Sequence, residues 1–419
     1  MGFRDRGDVM DGILMEWGGM LLRWVHIITG IAWIGSSFYF MHIDAALRAT
    51  PEHPAEKGGE AWEVHGGGFY HVRKYLVAPE ALPEELMWHK WEAYSSWISG
   101  FFLLVWIYYL SADVYLIDPA IRQISPAMAA VYGIGGLAIG WIVYDFLCRS
   151  SVAKSDVALA TVGFALIIVM AFLFQQVFSA RGAFIHTGAL MATIMTANVF
   201  LVIIPNQRKV IASLLAGEQP NPAYGKTGKQ RSTHNNYLTL PVLFLMISGH
   251  YPLSYSSPYA YVVVGLVLVA GAVVRYFYNE RHCGRGNKWW TWLVAALAIW
   301  TAIWISMPQT SAGREVMGLS DLKPIDPIAG LPKAPEKVAD VIGTRCAMCH
   351  AQMPVWPGIS TAPKGVRLDH PEFIQRYREE IRMFAGFTRA MPPNNLTGMT
   401  DEERAIIRAW GKTRTSQAD

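Results

Sequence analysis

Residues 23–44 read RWVHIITGIAWIGSSFYFMHID, an apolar run closed at its ends by Arg23 and Asp44. Its apolar part, from about residue 20 to 43, is long enough to cross a bilayer, whose hydrocarbon core takes ~20 residues of helix. Further runs of this kind follow at roughly 96–117, 127–147, 157–178, 183–204, 237–256, 258–278 and 289–308, with Trp and Tyr at their flanks. The opening MGFRDRGDVMDG carries both signs of charge, and no small-residue cleavage site follows the first run, so that run reads as a retained span. Hydrophobic residues are 52% of the 419 and charged ones only 16%, the charge being concentrated between the runs and in the tail.

The connections between runs set the orientation. Those after the odd-numbered runs hold fifteen Lys and Arg, against four in the amino-terminal tail and the remaining connections. Basic loops stay cytoplasmic, so both termini are expected on the outer side. The excess of 36 Lys and Arg over 32 Asp and Glu is small and scattered between apolar runs, which excludes a nucleic-acid-binding face. Cys148 and Cys283 fall at inner helix ends, where free thiols are expected.

Beyond the runs, residues 309–334 are rich in Pro and Gly and read as a linker. Residues 335–419 then resemble a small soluble protein of three helices. They contain Cys346, Cys349 and His350 in the order Cys-Ala-Met-Cys-His, the attachment pattern of a c-type haem. The thiols would add to the haem vinyl groups and His350 would ligate the iron. Met391, in AMPPNN, is the expected sixth ligand, with Met399 behind it. Thr400 and Glu403 form a capping-box pattern that predicts a last helix to about Lys412. The tail as a whole resembles a class I cytochrome c.

Ionisable side chains inside a bilayer are costly and therefore candidates for function. His26, His186 and His250 all fall in the outer part of the membrane region in this orientation. Two of them, His26 with His186 first, are expected to grip a b-type haem, although a histidine satisfied by a neighbouring backbone group is the simpler alternative. Gly136 and Gly140 read as a helix-packing contact. The first inner connection is long and carries HGGGFYHVRKY (65–75) and HKWEAYSSWISGF (89–101), with His65, His71 and His89 among its polar groups.

Together with RWVHIITGIAWIGSSFYFMHID, these two stretches resemble the membrane-bound urate oxidase family (PuuD-type). The first-helix pattern is also similar, more loosely, to the haem-binding helix of bacterial protoporphyrinogen-oxidase-like membrane proteins, which favours His26 as an iron ligand. The resemblance implies an all-α fold: an eight-helix transmembrane bundle over residues 1–308, then the linker, then a cytochrome c domain over 335–419. It implies oxidation of urate to 5-hydroxyisourate in purine catabolism. Electrons would pass to the fused cytochrome and on to a respiratory acceptor such as a cytochrome oxidase in the bacterial inner membrane.

A urate site needs a cation, amide or hydroxyl partners and an apolar or aromatic face. Arg23, Arg181, Gln175, Gln176, Asn198, His65, His71 and His89 are the candidates, and the sequence does not choose among them. Two other classes of function remain at this point: a membrane-anchored electron-transfer cytochrome without a substrate site, and a transporter with a redox tail.

Overall fold

The computed structural model describes residues 3–306 and 334–410, apart from 54–57, 77–78, 80–81, 119–120, 252–253, 256, 352–353, 357–358, 360–361, 364–365 and 370. The expected linker lies outside the described residues except for Ala334.

The chain opens with helix α1 (Phe3–Ala46), whose Trp24, Ile27 and Ile31 are exposed as on a lipid-facing helix. A hairpin follows, β1 (Glu60–His65) against β2 (Gly68–Arg73), antiparallel with Glu60 opposite Arg73 and His65 opposite Gly68. Its turn needs left-handed backbone, and Gly66 and Gly67 supply it at φ 59° and 81°. The hairpin is tied back to α1 by Lys74–Asp44 at 2.6 Å and by the Tyr39 hydroxyl donating to Glu63 at 2.7 Å.

The bundle continues with α2 (Trp91–Leu104), a wide turn over Val105–Tyr109, the short α3 (Ala112–Tyr115), and α4 (Pro126–Arg149). Then come α5 (Asp156–Gln175), α6 (Ala180–Ala197), which runs through another wide turn into α7 (Ile204–Leu215), and α8 (Pro222–Ser248). Helices α9 (Ala260–His282) and α10 (Trp290–Ser306) pack on each other and close the bundle. Ser125, Ser155, Ser179 and Asn221 accept backbone N–H bonds at the starts of α4, α5, α6 and α8, satisfying donors the helices themselves leave free.

Helix α6 is the centre. Leu190, Met191 and Ile194 are buried on it, and α2, α4, α5 and α8 surround it. Lipid tails are as apolar as leucine, so close packing, not hydrophobic transfer, must hold such helices together. The glycines of α4 provide it. A Cβ on Gly136 would stand 2.6 Å from Phe174, and one on Gly140 2.5 Å from Leu190.

The structure corrects the expected fold class. Among the described residues five segments are long and apolar enough to cross a membrane: Trp17–Ala46, Pro126–Arg149, Asp156–Gln175, Ala180–Leu215 and Ala260–His282. The run at 96–117 is broken, because α2 gives way to the wide turn and then to the four-residue α3. The run at 237–256 is only the second half of α8, whose first half is polar and whose Pro241 lies inside the helix. Helix α10 is apolar but short. Among the described residues the fold is all-α apart from the one hairpin, but a clean eight-helix bundle is not what the chain builds.

The distinct cytochrome c fold is corrected as well. Residues 334–410 form α11 (Glu336–Arg345), α12 (Pro371–Arg376), α13 (Arg378–Ile381) and α14 (Asp401–Ala409), all of ten residues or fewer. Val338, Val341, Ile342, Ile407 and Trp410 form their shared core. This carboxy-terminal unit does not stand apart, since its Pro393–Asn395 turn packs on α3 of the bundle. Among the described residues no three His, Cys, Asp or Glu side chains gather in a way that would hold a metal ion.

Candidate functional site

Gln175 ends α5 and Gln176 caps it; three residues on, Ser179 caps the start of α6 and Arg181 stands in its first turn. This tight corner puts two amides and a cation at one end of the bundle. The Ser179 amide donates to Leu116 O at 2.8 Å, and its hydroxyl donates to Tyr115 O at 3.0 Å, fixing the corner against α3. A cavity of about 660 Å³ opens there, within the range of small-molecule sites. The bundle side contributes Gln175, Gln176, Arg181, His250 and Tyr255, and the carboxy-terminal unit contributes residues from Phe387 to Asn394.

The Arg181 guanidinium lies 5.1 Å from the Tyr115 ring centre and 5.8 Å from that of Tyr108. Its Nε is buried with no hydrogen-bond partner among the described residues. Gln175 Oε1 accepts from the Tyr261 amide at 3.3 Å, which leaves the Gln175 NH2 to donate elsewhere. A cation with a spare donor, two amides and flanking phenol rings suit a flat anion with carbonyl edges. Asp118 and His250 at the same cavity add groups able to take a proton.

The other candidates lie elsewhere. Arg23 is exposed on α1. His71 pairs with Glu60 at 2.7 Å and stacks on Trp62, His65 sits at the hairpin turn, and His89 pairs with Glu92 at 3.1 Å. The Thr50 hydroxyl, then His71 and Arg73, hold the Glu60 carboxyl below its usual range against the opposing effect of burial. Asn198 belongs to a buried network that the sequence did not reveal. Its Nδ2 donates to Tyr144 at 3.0 Å and Asn235 at 2.9 Å, while Arg231 bonds both Asn198 Oδ1 at 3.3 Å and Asp145 at 2.6 Å. The Tyr144 hydroxyl also meets His234 at 2.7 Å. Arg231 reads as a loop cation in the sequence, and only the fold buries it against Asp145.

The three intramembrane histidines do not converge. His186 is fully buried, with Nδ1 on Gly182 O at 2.8 Å and Nε2 on the Tyr109 hydroxyl at 3.1 Å, so protein partners use both nitrogens. His26 bonds Ser96 O at 3.0 Å through Nδ1, and its ring presses on Gly100. Of the three, only His250 lines the cavity described above.

In the carboxy-terminal unit, Cys346 caps α11, and the amides of Cys349 and His350 both donate to its carbonyl, at 3.2 and 2.9 Å. All three residues thus share one turn. His350 Nδ1 bonds Val366 O at 2.9 Å, which orients the ring. Met391 is half-buried against the core that contains Cys346, whereas Met399 is buried within that core.

Residues 12–306 match the family described as urate oxidase, N-terminal. No curated protein and no solved structure matches the chain. The match stops before the carboxy-terminal unit, and no metal-holding cluster occurs among the described residues. The expected fused cytochrome that carries electrons from urate to a respiratory acceptor is therefore withdrawn, and the cytochrome, haem-iron and electron-transfer descriptions of the function go with it.

Proposed function

Because the chain belongs to the urate oxidase N-terminal family, which supports an oxidoreductase activity, we propose that it oxidises urate in the outer cavity. The observation that carries this reading is Arg181, a half-buried cation with a buried, unpartnered Nε, lining a cavity of substrate size together with Gln175 and Gln176. Urate is a planar anion near neutral pH, with carbonyl and ring N–H groups around its edge. Arg181 holds the charge, the glutamine amides meet the edge, and Tyr115 and Tyr255 flank the plane. Asp118 and His250 take protons as the ring loses an electron pair. The oxidant comes from outside the cavity and is identified by supplying it.

The test is urate consumption by the full chain in nanodiscs, followed by ultraviolet absorbance with dioxygen and, separately, with a dye acceptor. Wild-type protein consumes urate with one of them, and Arg181→Gln raises KM by roughly tenfold or more, as expected when a charged hydrogen-bond partner is lost. Wild-type protein that leaves urate intact under both conditions sinks the reading.

The cofactor proposal is a covalent haem on Cys346 and Cys349. The shared turn and the His350 ring held by Val366 support it, and Met391 is the methionine nearer the surface of that core. The orientation proposed from the charge asymmetry puts the cavity on the extracytoplasmic side.

A further inference from the structure

The outer cavity has a second buried donor without a partner, and it comes from outside the family-matched region. Asn394 is 6% exposed, and its Nδ2 finds no hydrogen-bond partner among the described residues, although it lines the same cavity as Arg181. Leaving an amide donor buried and unpaired costs about 1–3 kcal/mol, a cost that a ligand at this place removes.

The loop around Asn394 is held firmly enough to keep that donor in place. Arg404, 2% exposed, donates to Ala385 O at 2.6 Å, Thr388 O at 3.3 Å and Met391 O at 2.9 Å, and also to Asn395 Oδ1 at 3.1 Å. Asn394 and Asn395 both adopt left-handed backbone, at φ 50° and 55°, a conformation Asn tolerates better than other non-glycine residues. The Pro393–Asn395 turn packs on α3, whose Tyr115 stands beside Arg181. Two residues with orphaned donors, one from each part of the molecule, therefore line one cavity.

We propose that the substrate site is bipartite: the carboxy-terminal unit completes it, and Asn394 is a binding residue that donates to a carbonyl or enolate oxygen of the urate ring while Arg181 holds the anion from the bundle side. This rests on the reading of the cavity as a urate site. Arg389 stays at the rim, paired with Asp401 at 2.9 Å.

Two substitutions separate recognition from folding. Asn394→Gly deletes the amide yet suits the left-handed backbone. Asn394→Asp keeps the shape but replaces the donor with a carboxylate oxygen. Urate binding is measured by calorimetry on the full chain in nanodiscs. The expected result is a Kd about tenfold weaker for Asn394→Gly and weaker still for Asn394→Asp. That order follows from charge, since a purely structural role would make the isosteric Asp the milder change. If Arg181→Gln weakens binding while both Asn394 variants keep the wild-type Kd, the urate site stands and the bipartite site falls. The reverse order, Asp milder than Gly, overturns recognition by Asn394. Wild-type protein that binds no urate overturns both.

Discussion

Burial pushes the Cys346 thiol up to about 12 and raises that of Cys349 as well. Thiols held protonated are poor nucleophiles and poor zinc ligands, which weakens the two other uses of a Cys-x-x-Cys pair. Thioether bonds to a haem remove the ionisable protons altogether. The expected outcome is that, after denaturation, iodoacetamide labels Cys148 and Cys283 but neither Cys346 nor Cys349, and that the peptide holding the latter pair carries the added mass of a haem. Labelling of all four cysteines ends the cofactor proposal. This motif was legible because its members are contiguous, and contiguity survives any fold. Arg181 and Gln175 were legible by type, but only the α5–α6 corner shows that they face one cavity while Arg23, Asn198 and the loop histidines do not. His186 shows the same limit from the other side. Its suitability as a ligand is a property of the residue type, whereas Gly182 and Tyr109, which use up both nitrogens, are known only from the packing. Asn394 carried no chemical signal beyond an Asn pair after two prolines.

Elements were readable where local chemistry decides them. The Thr400–Glu403 capping box forms as expected, with Thr400 Oγ1 accepting from Glu403 N at 3.2 Å and Glu403 Oε2 accepting from Thr400 N at 2.8 Å. The broken second run was not readable, because the wide turn at Val105–Tyr109 interrupts a stretch that is apolar throughout. The polar half of α8 was hidden for the converse reason, since hydropathy cannot separate a polar helix from a loop. Glu403 also joins α14 to α11 through Arg345 at 3.0 Å. Burial works to raise its carboxyl, but the bonds from Arg345 and the Thr400 amide outweigh it and hold it below the usual carboxylate range. A depressed folded value means the stabilisation is fully present above the unfolded carboxylate pKa of about 4.3 and is lost as pH falls through the folded value. The Trp410 resonance in 5-fluorotryptophan-labelled protein, assigned with Trp410→Phe, is therefore expected to broaden below about pH 4. Glu403→Gln makes it broader at neutral pH and flattens that acid limb. An acid transition unchanged in Glu403→Gln would assign it to other groups.

For the molecule as a whole, sidedness follows from the cavity and does not depend on counting spans. The end of α5, the start of α6, the end of α8, the approach to α9 and the Phe387–Asn394 segment all line it, so they share one side. Toward or just beyond the opposite ends of α5, the α6–α7 rod and α9 stand Lys154, Arg208, Lys209, Arg281 and Arg285. Arg231 no longer counts as a loop charge, being buried and paired with Asp145, yet the asymmetry survives without it. Lys and Arg near span ends stay cytoplasmic, and the proposal that the cavity and the carboxy-terminal unit lie outside rests on that rule. A reporter active only outside the cytoplasm is expected to work when fused after Asp419. A cytoplasm-only reporter is expected to work when inserted at Gly217, an exposed left-handed turn at the far end of α7. The pair matters more than either fusion alone. The α6–α7 rod has its first turn at the cavity and is 36 residues long, about 54 Å at 1.5 Å per residue and so longer than the ~30 Å hydrocarbon core. Its two ends must therefore report opposite compartments if it crosses the bilayer. Activity of both fusions in the same compartment would mean that this rod, the central helix of the bundle, does not span the membrane. The cavity at its first turn would then open to the same side as the basic loops, and urate would reach Arg181 from the cytoplasm.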